Sequence, residues 1–284
     1  MKRPFLLPAA PLLLLLSLLL FPAACKKSKP QPVAKPEAAT ASPTPNVEAA
    51  LQEFVKRDQE AIRQNPNDAG NYYNLANLYF SAGKFREAIE QYQQAIRLDP
   101  KDAEARYQLG QCYLRLERYD DAFAAFNESL KLNPKNADVY NEMGNAYLKQ
   151  ERTKEALEAY RKALSIKPDH AETHFNLGNL HTQLGQLPEA VKAFQQATRH
   201  NPKDADAFFN LGGSHSRLKQ FDEAIKAYQE TVKLNPGDGQ AHLRLAVLYL
   251  ETGKREAAAA EYNVLKGLNP ELAVLLDEKM KQQK

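Results

Sequence analysis

Proline recurs at a fixed interval of 34 residues: Pro66, Pro100, Pro134, Pro168, Pro202, Pro236 and Pro270. A residue before proline is pushed out of the α region, so each of these positions marks a helix stop. The preceding residue is Asn65, Asp99, Asn133, Asn201, Asn235 or Asn269, with Lys167 as the one variant. A constant period of this length specifies a stacked array in which each unit buries its apolar face only against its neighbours.

Between stops, each unit carries two amphipathic stretches. In the second unit Arg106, Leu109, Gly110 and Tyr113 fall at helical spacing, and Ala122, Phe126, Ser129 and Leu132 follow with the same period. Gly83, Gly185 and Gly253 sit in the break between the stretches, where a left-handed residue ends the first helix; Glu117, Glu151 and Lys219 hold that slot elsewhere. Asp68, Asp102, Asn136, Asp204 and Asp238 follow the stop proline by two residues and are placed to cap the next helix. Ala88, Ala122, Ala156, Ala190, Ala224 and Ala258 share one slot, and Tyr92, Phe126, Tyr160, Phe194, Tyr228 and Tyr262 lie four residues on. A small residue beside a ring lets two helices approach closely while the ring fills the gap. Gly110, Gly144, Gly178 and Gly212, with Ala76 and Ala246, serve the same end on the first helix.

This order of aromatic, Leu, Gly, Tyr, Ala, aromatic and Pro resembles the tetratricopeptide repeat over residues 67–270. The resemblance implies an all-α fold, an α-solenoid in which six antiparallel helix pairs form a right-handed superhelix with the first helices on the concave face. The units are 67–100, 101–134, 135–168, 169–202, 203–236 and 237–270. Residues 46–66 are expected to cap one end through Leu51, Phe54, Val55 and Ile62, and residues 271–284 the other through Leu272, Leu275 and Leu276. The family's tryptophan slot holds Tyr72, Arg106, Tyr140, His174, Phe208 and His242, which predicts looser packing near Arg106 and the two histidines.

Ahead of the array, residues 1–24 read as a secretory signal with a basic start and an apolar stretch from Leu12 to Phe21. Pro22-Ala23-Ala24-Cys25 resembles the lipobox of bacterial lipoproteins, with Pro22 where that family usually has leucine. The resemblance implies a lipid on Cys25 and attachment to a membrane facing the periplasm or cell surface; the alternative is ordinary cleavage near Ala24, leaving a free thiol. Residues 25–45 are Pro, Ala and Lys rich and read as an extended tether.

The net charge of +3 divides unevenly. Residues 1–45 hold six basic residues and Glu37, a net of +5, which leaves 32 basic and 34 acidic residues and a net of −2 for residues 46–284. Bulk charge therefore argues against nucleic acid as a partner. No phosphate-cradling glycine loop, HExxH, CxxC or GxSxG occurs, and the repeats and caps leave no room for a catalytic domain, so the reading is non-enzymatic, with no cofactor and no small-molecule substrate. His170 and His174 lie at i, i+4 without an evident third ligand and read as structural, not metal-binding; Cys112 reads as a buried, inert thiol.

The candidate binding residues lie on the first helices. Asn74, Gln108, Asn176 and Asn210 share one slot, and Asn77, Gln111, Asn145 and Asn179 share another three residues on, so both rows face one way. An amide offers a donor and an acceptor and suits the main chain of an extended peptide. The rows resemble the asparagine ladder of O-linked N-acetylglucosamine transferases, which implies peptide binding in the groove. Tyr73, Tyr107, Phe175 and Phe209 precede the first row and add apolar contacts, while Glu104, Asp138, Glu172 and Asp206 recur at one position and favour a basic peptide. The family's carboxylate clamp is disfavoured, because its basic slots hold Asn141, Asp206 and Asn210. The expected function is a protein–protein interaction scaffold of the bacterial envelope that binds an extended peptide and assists assembly of a membrane complex. The alternative is a targeting subunit that recruits a separate cell-wall or secretion enzyme. In architecture the chain resembles pilotin-type lipoproteins and lipoprotein adaptors of cell-wall hydrolases.

Overall fold

The structure is a computed structural model and describes residues 45–282, with side chains from Ala49 onward. The signal segment, Cys25 and the tether up to Thr44 lie outside the described residues. Among these there are fourteen helices and no strand. The chain from Leu51 onward forms one compact unit.

Helix α1 (Pro45–Gln64) leads into six pairs: α2 (Ala69–Ser81) with α3 (Phe85–Leu98), α4 (Ala103–Arg115) with α5 (Tyr119–Leu132), and α6 (Ala137–Lys149) with α7 (Thr153–Ile166). The series continues with α8 (Ala171–Gln183) and α9 (Leu187–His200), α10 (Ala205–Arg217) and α11 (Phe221–Leu234), α12 (Gly239–Glu251) and α13 (Arg255–Leu268), and closes on α14 (Pro270–Gln282). First helices are 13 residues long and second helices 14. Both lengths follow from the punctuation. Each second helix stops at the residue before proline, with Asn133 at φ −131° and ψ 84°. Each first helix stops at a left-handed residue, whether glycine or not: Gly83, Gly185 and Gly253 lie at φ 72–74°, and Glu117, Glu151 and Lys219 at 58–60°. Outside glycine that conformation costs about 1–2 kcal/mol.

Aspartate or asparagine caps five of the first helices, Asp102 Oδ1 accepting from the Ala105 N–H at 2.8 Å. In the fourth unit His170 takes over this role, its Nδ1 accepting from the Thr173 N–H at 3.2 Å. The stop proline's carbonyl also finds a partner that the sequence pattern did not announce. Tyr72 Oη, His174 Nε2 and His242 Nε2, all in the tryptophan slot, donate to the carbonyls of Pro66, Pro168 and Pro236 at 3.2, 2.9 and 3.1 Å. A backbone acceptor left open where the helix breaks is thereby satisfied.

The core is the small-residue and ring lattice. The slot alanines, Ala88 through Ala258, and the rings of Tyr92, Phe126, Tyr160 and Phe194 are fully buried, each such ring contributing about 1.5–3 kcal/mol by leaving water. A Cβ on Gly110 would stand 2.5 Å from the Phe126 ring, and one on Gly144 2.5 Å from Tyr160. The close approach of the paired helices therefore requires glycine there.

The break between paired helices is locked by two alternative contacts. Arg118 lies over the Tyr113 ring and Arg152 over Tyr147, each at 4.6 Å, a cation–π pair. Where histidine replaces tyrosine, glutamine replaces arginine: His181 bonds Gln186 and His215 bonds Gln220, each at 2.7 Å.

Three expectations need correction. Leu275 does not cover the C-terminal end: it is 51% exposed, and Ala273 and Leu276 are the residues that α14 buries against its neighbours. Phe54 is 47% exposed on α1, with Arg57 over its ring at 5.1 Å, whereas Leu51, Val55 and Ile62 are half-buried. Packing is loose near Arg106, where α5 meets α6 less closely than α9 meets α10 and a cleft of about 1010 Å³ is lined by Arg106, Leu109, Tyr113, Tyr140 and Met143. His242 differs: it is buried, and bonds Glu261 at 2.5 Å as well as the Pro236 carbonyl.

Candidate functional site

Among the first helices α4 touches α6 and α8 touches α10, whereas no two successive second helices pack as closely. The first helices therefore line the inner side of the array, and their outward residues form one continuous surface.

Four rings sit on it, each against the buried ring of its own unit. Tyr73 meets Tyr92 edge-on at 5.7 Å, Phe175 meets Phe194 at 5.8 Å and Phe209 meets Tyr228 at 5.4 Å, while Tyr107 is tilted on Phe126 at 6.0 Å. All four outer rings are half-buried, with one side on the core and the remainder facing the groove. Burial pushes the Tyr107 phenol well above its usual range, so it is neutral at physiological pH.

The eight amides are brought onto the same surface but are not equivalent. Asn77 Oδ1 accepts from the Tyr92 hydroxyl at 2.5 Å, and Asn145 Oδ1 from Tyr160 at 2.6 Å. These two amides hold core tyrosines, but the slot does not track the ring: Asn179 shares its unit with Phe194, and the units of Tyr228 and Tyr262 carry Gly213 and Val247 there. Asn176 Nδ2 donates to Asn141 Oδ1 at 3.1 Å, Gln108 Nε2 to Glu104 at 2.9 Å, Gln111 to the Tyr107 hydroxyl, and Asn210 Nδ2 to the Asp206 carbonyl at 2.8 Å. Among the described residues, Asn74 and Asn179 have no side-chain hydrogen bond. Asn74 and Asn179 are thus the amides wholly free to meet a peptide backbone, and the side-chain Oδ1 of Asn210 is open beside them.

The third unit departs from the others. Where its neighbours have rings, it has Asn141, which is 1% exposed and drawn into a polar chain. Thr173 Oγ1 donates to Asn141 Oδ1 at 2.9 Å, Asn141 Nδ2 donates to Glu172 at 3.2 Å, and His170 Nε2 reaches Asp138 Oδ1 at 2.8 Å. In the amide slot this unit has Glu142 instead, half-buried. Burial, then the nearby Glu172 carboxylate, push its pKa up to about 7. No sequence argument singled out Asn141 or Glu142 as binding residues; the signal was there as the interruption of two otherwise regular rows.

Among the described residues no group of three or more His, Cys, Asp or Glu side chains is arranged to hold a metal ion. His174 stacks on His200 at 5.8 Å, and burial lowers its pKa. Cys112 is fully buried and its thiol is pushed up to about 12 by that burial, which removes its nucleophilic form. No described helix is long and apolar enough to cross a membrane.

Family profiles described as tetratricopeptide repeat match residues 73–137, 214–273 and 125–158, and one described as TPR repeat matches 144–185 and 178–219. The chain belongs to the tetratricopeptide-repeat family, whose fold is that of protein–protein interaction scaffolds. Among solved structures it is similar to PilF of Pseudomonas aeruginosa, at 21% identity and a TM-score of 0.63 over 76% of this chain and 97% of that one. It is similar also to PilW, a type IV pilus biogenesis factor, at 21% and 0.60 over 73% and 98%. The Cut9–Hcn1 hetero-tetramer of the APC/C gives 18% and 0.60 over 82% of this chain, which spans only 46% of the length of that one. At these identities the likeness shows the fold. No curated protein matches the chain by sequence.

Proposed function

We propose that the chain is a non-enzymatic scaffold that binds an extended segment of a partner protein along its first helices. The observation that carries this is the row of half-buried rings with unengaged amide groups beside it: Tyr73, Tyr107, Phe175 and Phe209 flanked by Asn74, Asn179 and the open side-chain Oδ1 of Asn210. Side-chain amides grip main chain, and half-exposed rings receive apolar side chains at low entropic cost. The N-terminal sequence supports a lipid at Cys25 that places this groove at the surface of a bacterial envelope membrane. PilW, a type IV pilus biogenesis factor, shares the architecture, which supports a role in assembling a membrane complex only by analogy of fold.

The test is crosslinked capture of the full-length chain from membranes, beside a variant with Asn74, Asn179 and Asn210 changed to Ala. The reading expects one partner held by the wild type and lost by the variant, with the melting temperature unchanged. Equal recovery by both removes the amides from the binding account. Mass analysis of the N-terminal fragment decides the lipid.

A further inference from the structure

Nine carboxylates in the described array are half-buried, and eight of them are matched. Asp58, Glu155, Glu230 and Asp277 pair with Arg57, Arg152, Lys233 and Lys281, and Glu261 pairs with His242. Asp102, Asp204 and Asp238 accept backbone N–H groups at helix starts. Glu142 alone has neither. Its single contact is the Asn145 amide at 3.5 Å, a distance at the edge of hydrogen bonding. A carboxylate withdrawn from water without a counter-charge is costly. This one sits in the groove, at the position where the amide row and the ring row both break.

The groups facing it make a positive guest favourable. Glu172 on α8 and Asp138 on its own helix add negative charge, Arg115 on α4 is the one cation acting on it, and the hydroxyls of Tyr107 and Tyr160 are neutral. On either side along the array stand the rings of Tyr107 and Phe175. Packed helices lie about 8–10 Å apart, and a polyproline-type extended chain repeats its facing every three residues with a rise of about 9 Å. Each unit thus meets about every third residue of such a chain.

Resting on the groove reading above, we propose that the partner segment carries a lysine or arginine whose cationic head seats against Glu142. Apolar side chains about three residues to either side rest on Tyr107 and Phe175. Glu142 is the specificity-determining residue, and the amides and rings are the sequence-tolerant grip.

The experiment is selection of displayed random peptides, long enough to cross three units, on the full-length chain, on Glu142→Gln and on Glu142→Lys. Wild type is expected to enrich Lys or Arg at one position with apolar residues at the flanking spacing. Glu142→Gln keeps the apolar flanks, loses the basic preference and binds wild-type-selected peptides about tenfold more weakly; Glu142→Lys enriches Asp or Glu at that position. Affinity of the wild type for a selected basic peptide rises as pH climbs through about 7, where the Glu142 carboxyl ionises, and that rise is absent in Glu142→Gln. The proposal is overturned if selected peptides lose binding in the Asn74, Asn179 and Asn210 variant, and so lie in the groove, yet show no basic preference, or keep it in Glu142→Gln. If the selected peptides bind that variant as well as wild type, or no peptide is enriched, the groove reading itself fails and this proposal with it.

Discussion

The second and third units have the same helix lengths, the same left-handed break and the same buried ring against a glycine, yet their inner faces differ in kind. Unit two presents Tyr107 and Gln108, a ring on a ring and an amide. Unit three presents Glu142, with Asn141 pulled inward to Thr173, Glu172 and Asn176 of the next unit. The scaffold slots therefore set the fold while two adjacent groove slots vary freely. Where unit three gives up its ring, it gains a chain of hydrogen bonds to unit four.

The comparison breaks first at Asn141. Replacement by Ala removes one hydrogen bond each from the Thr173 hydroxyl, which keeps His170 Nδ1 at 2.6 Å, from the Asn176 amide and from the exposed Glu172, and is expected to cost about 3 kcal/mol in urea unfolding. Phe209→Ala, at the same slot in unit five, removes a half-buried ring and costs about 1–2 kcal/mol. Equal losses would mean that the polar chain adds nothing to the junction. Next comes the scaffold itself. Ala190→Leu overpacks a fully buried slot and lowers stability by roughly 1–3 kcal/mol; a neutral outcome would show that the helix-pair register is misread.

A pH series sharpens the contrast further. The folded chain holds a proton on Glu142 up to about pH 7, whereas the unfolded chain releases it near the ordinary 4.5. The folded form binds more protons between these values, so this group's contribution makes stability fall as pH rises from about 4.5 to about 7. Melting of wild type against Glu142→Gln isolates it, with an expected difference that grows through that window and levels off above it at on the order of 1–2 kcal/mol. The smallest effect is Lys219→Gly, which relieves a left-handed lysine and raises stability by about 0.5–1 kcal/mol net of glycine's entropy.

Most of the fold was legible because its determinants are periodic. Stop prolines, caps, left-handed breaks and the small-residue and ring lattice each repeat at 34 residues, and repetition separates signal from accident. The groove was legible as a location, since the rows of amides and rings are periodic too. The state of each amide was not. Whether Asn77 is free or holds the Tyr92 hydroxyl depends on a contact across the helix pair, and Asn176 is engaged because of one substitution, Asn141, in the preceding unit. His170 as a cap and the histidine–proline carbonyl bonds were hidden for a like reason: they are single-unit solutions that no period announces. The ends misled through Leu275 and Phe54, because an apolar residue at a terminus has no repeating partner to fix which way it faces.

The most direct test of the central claim, that a partner segment runs along the first helices, is site-specific photo-crosslinking in the full-length chain. A crosslinker at Asn179 reports on the groove, and one at the exposed Lys192 of the second helix in the same unit reports on the outer face. The account predicts that a single partner segment is captured from position 179 and not from 192. Capture from 192 alone, or equally from both, would contradict it.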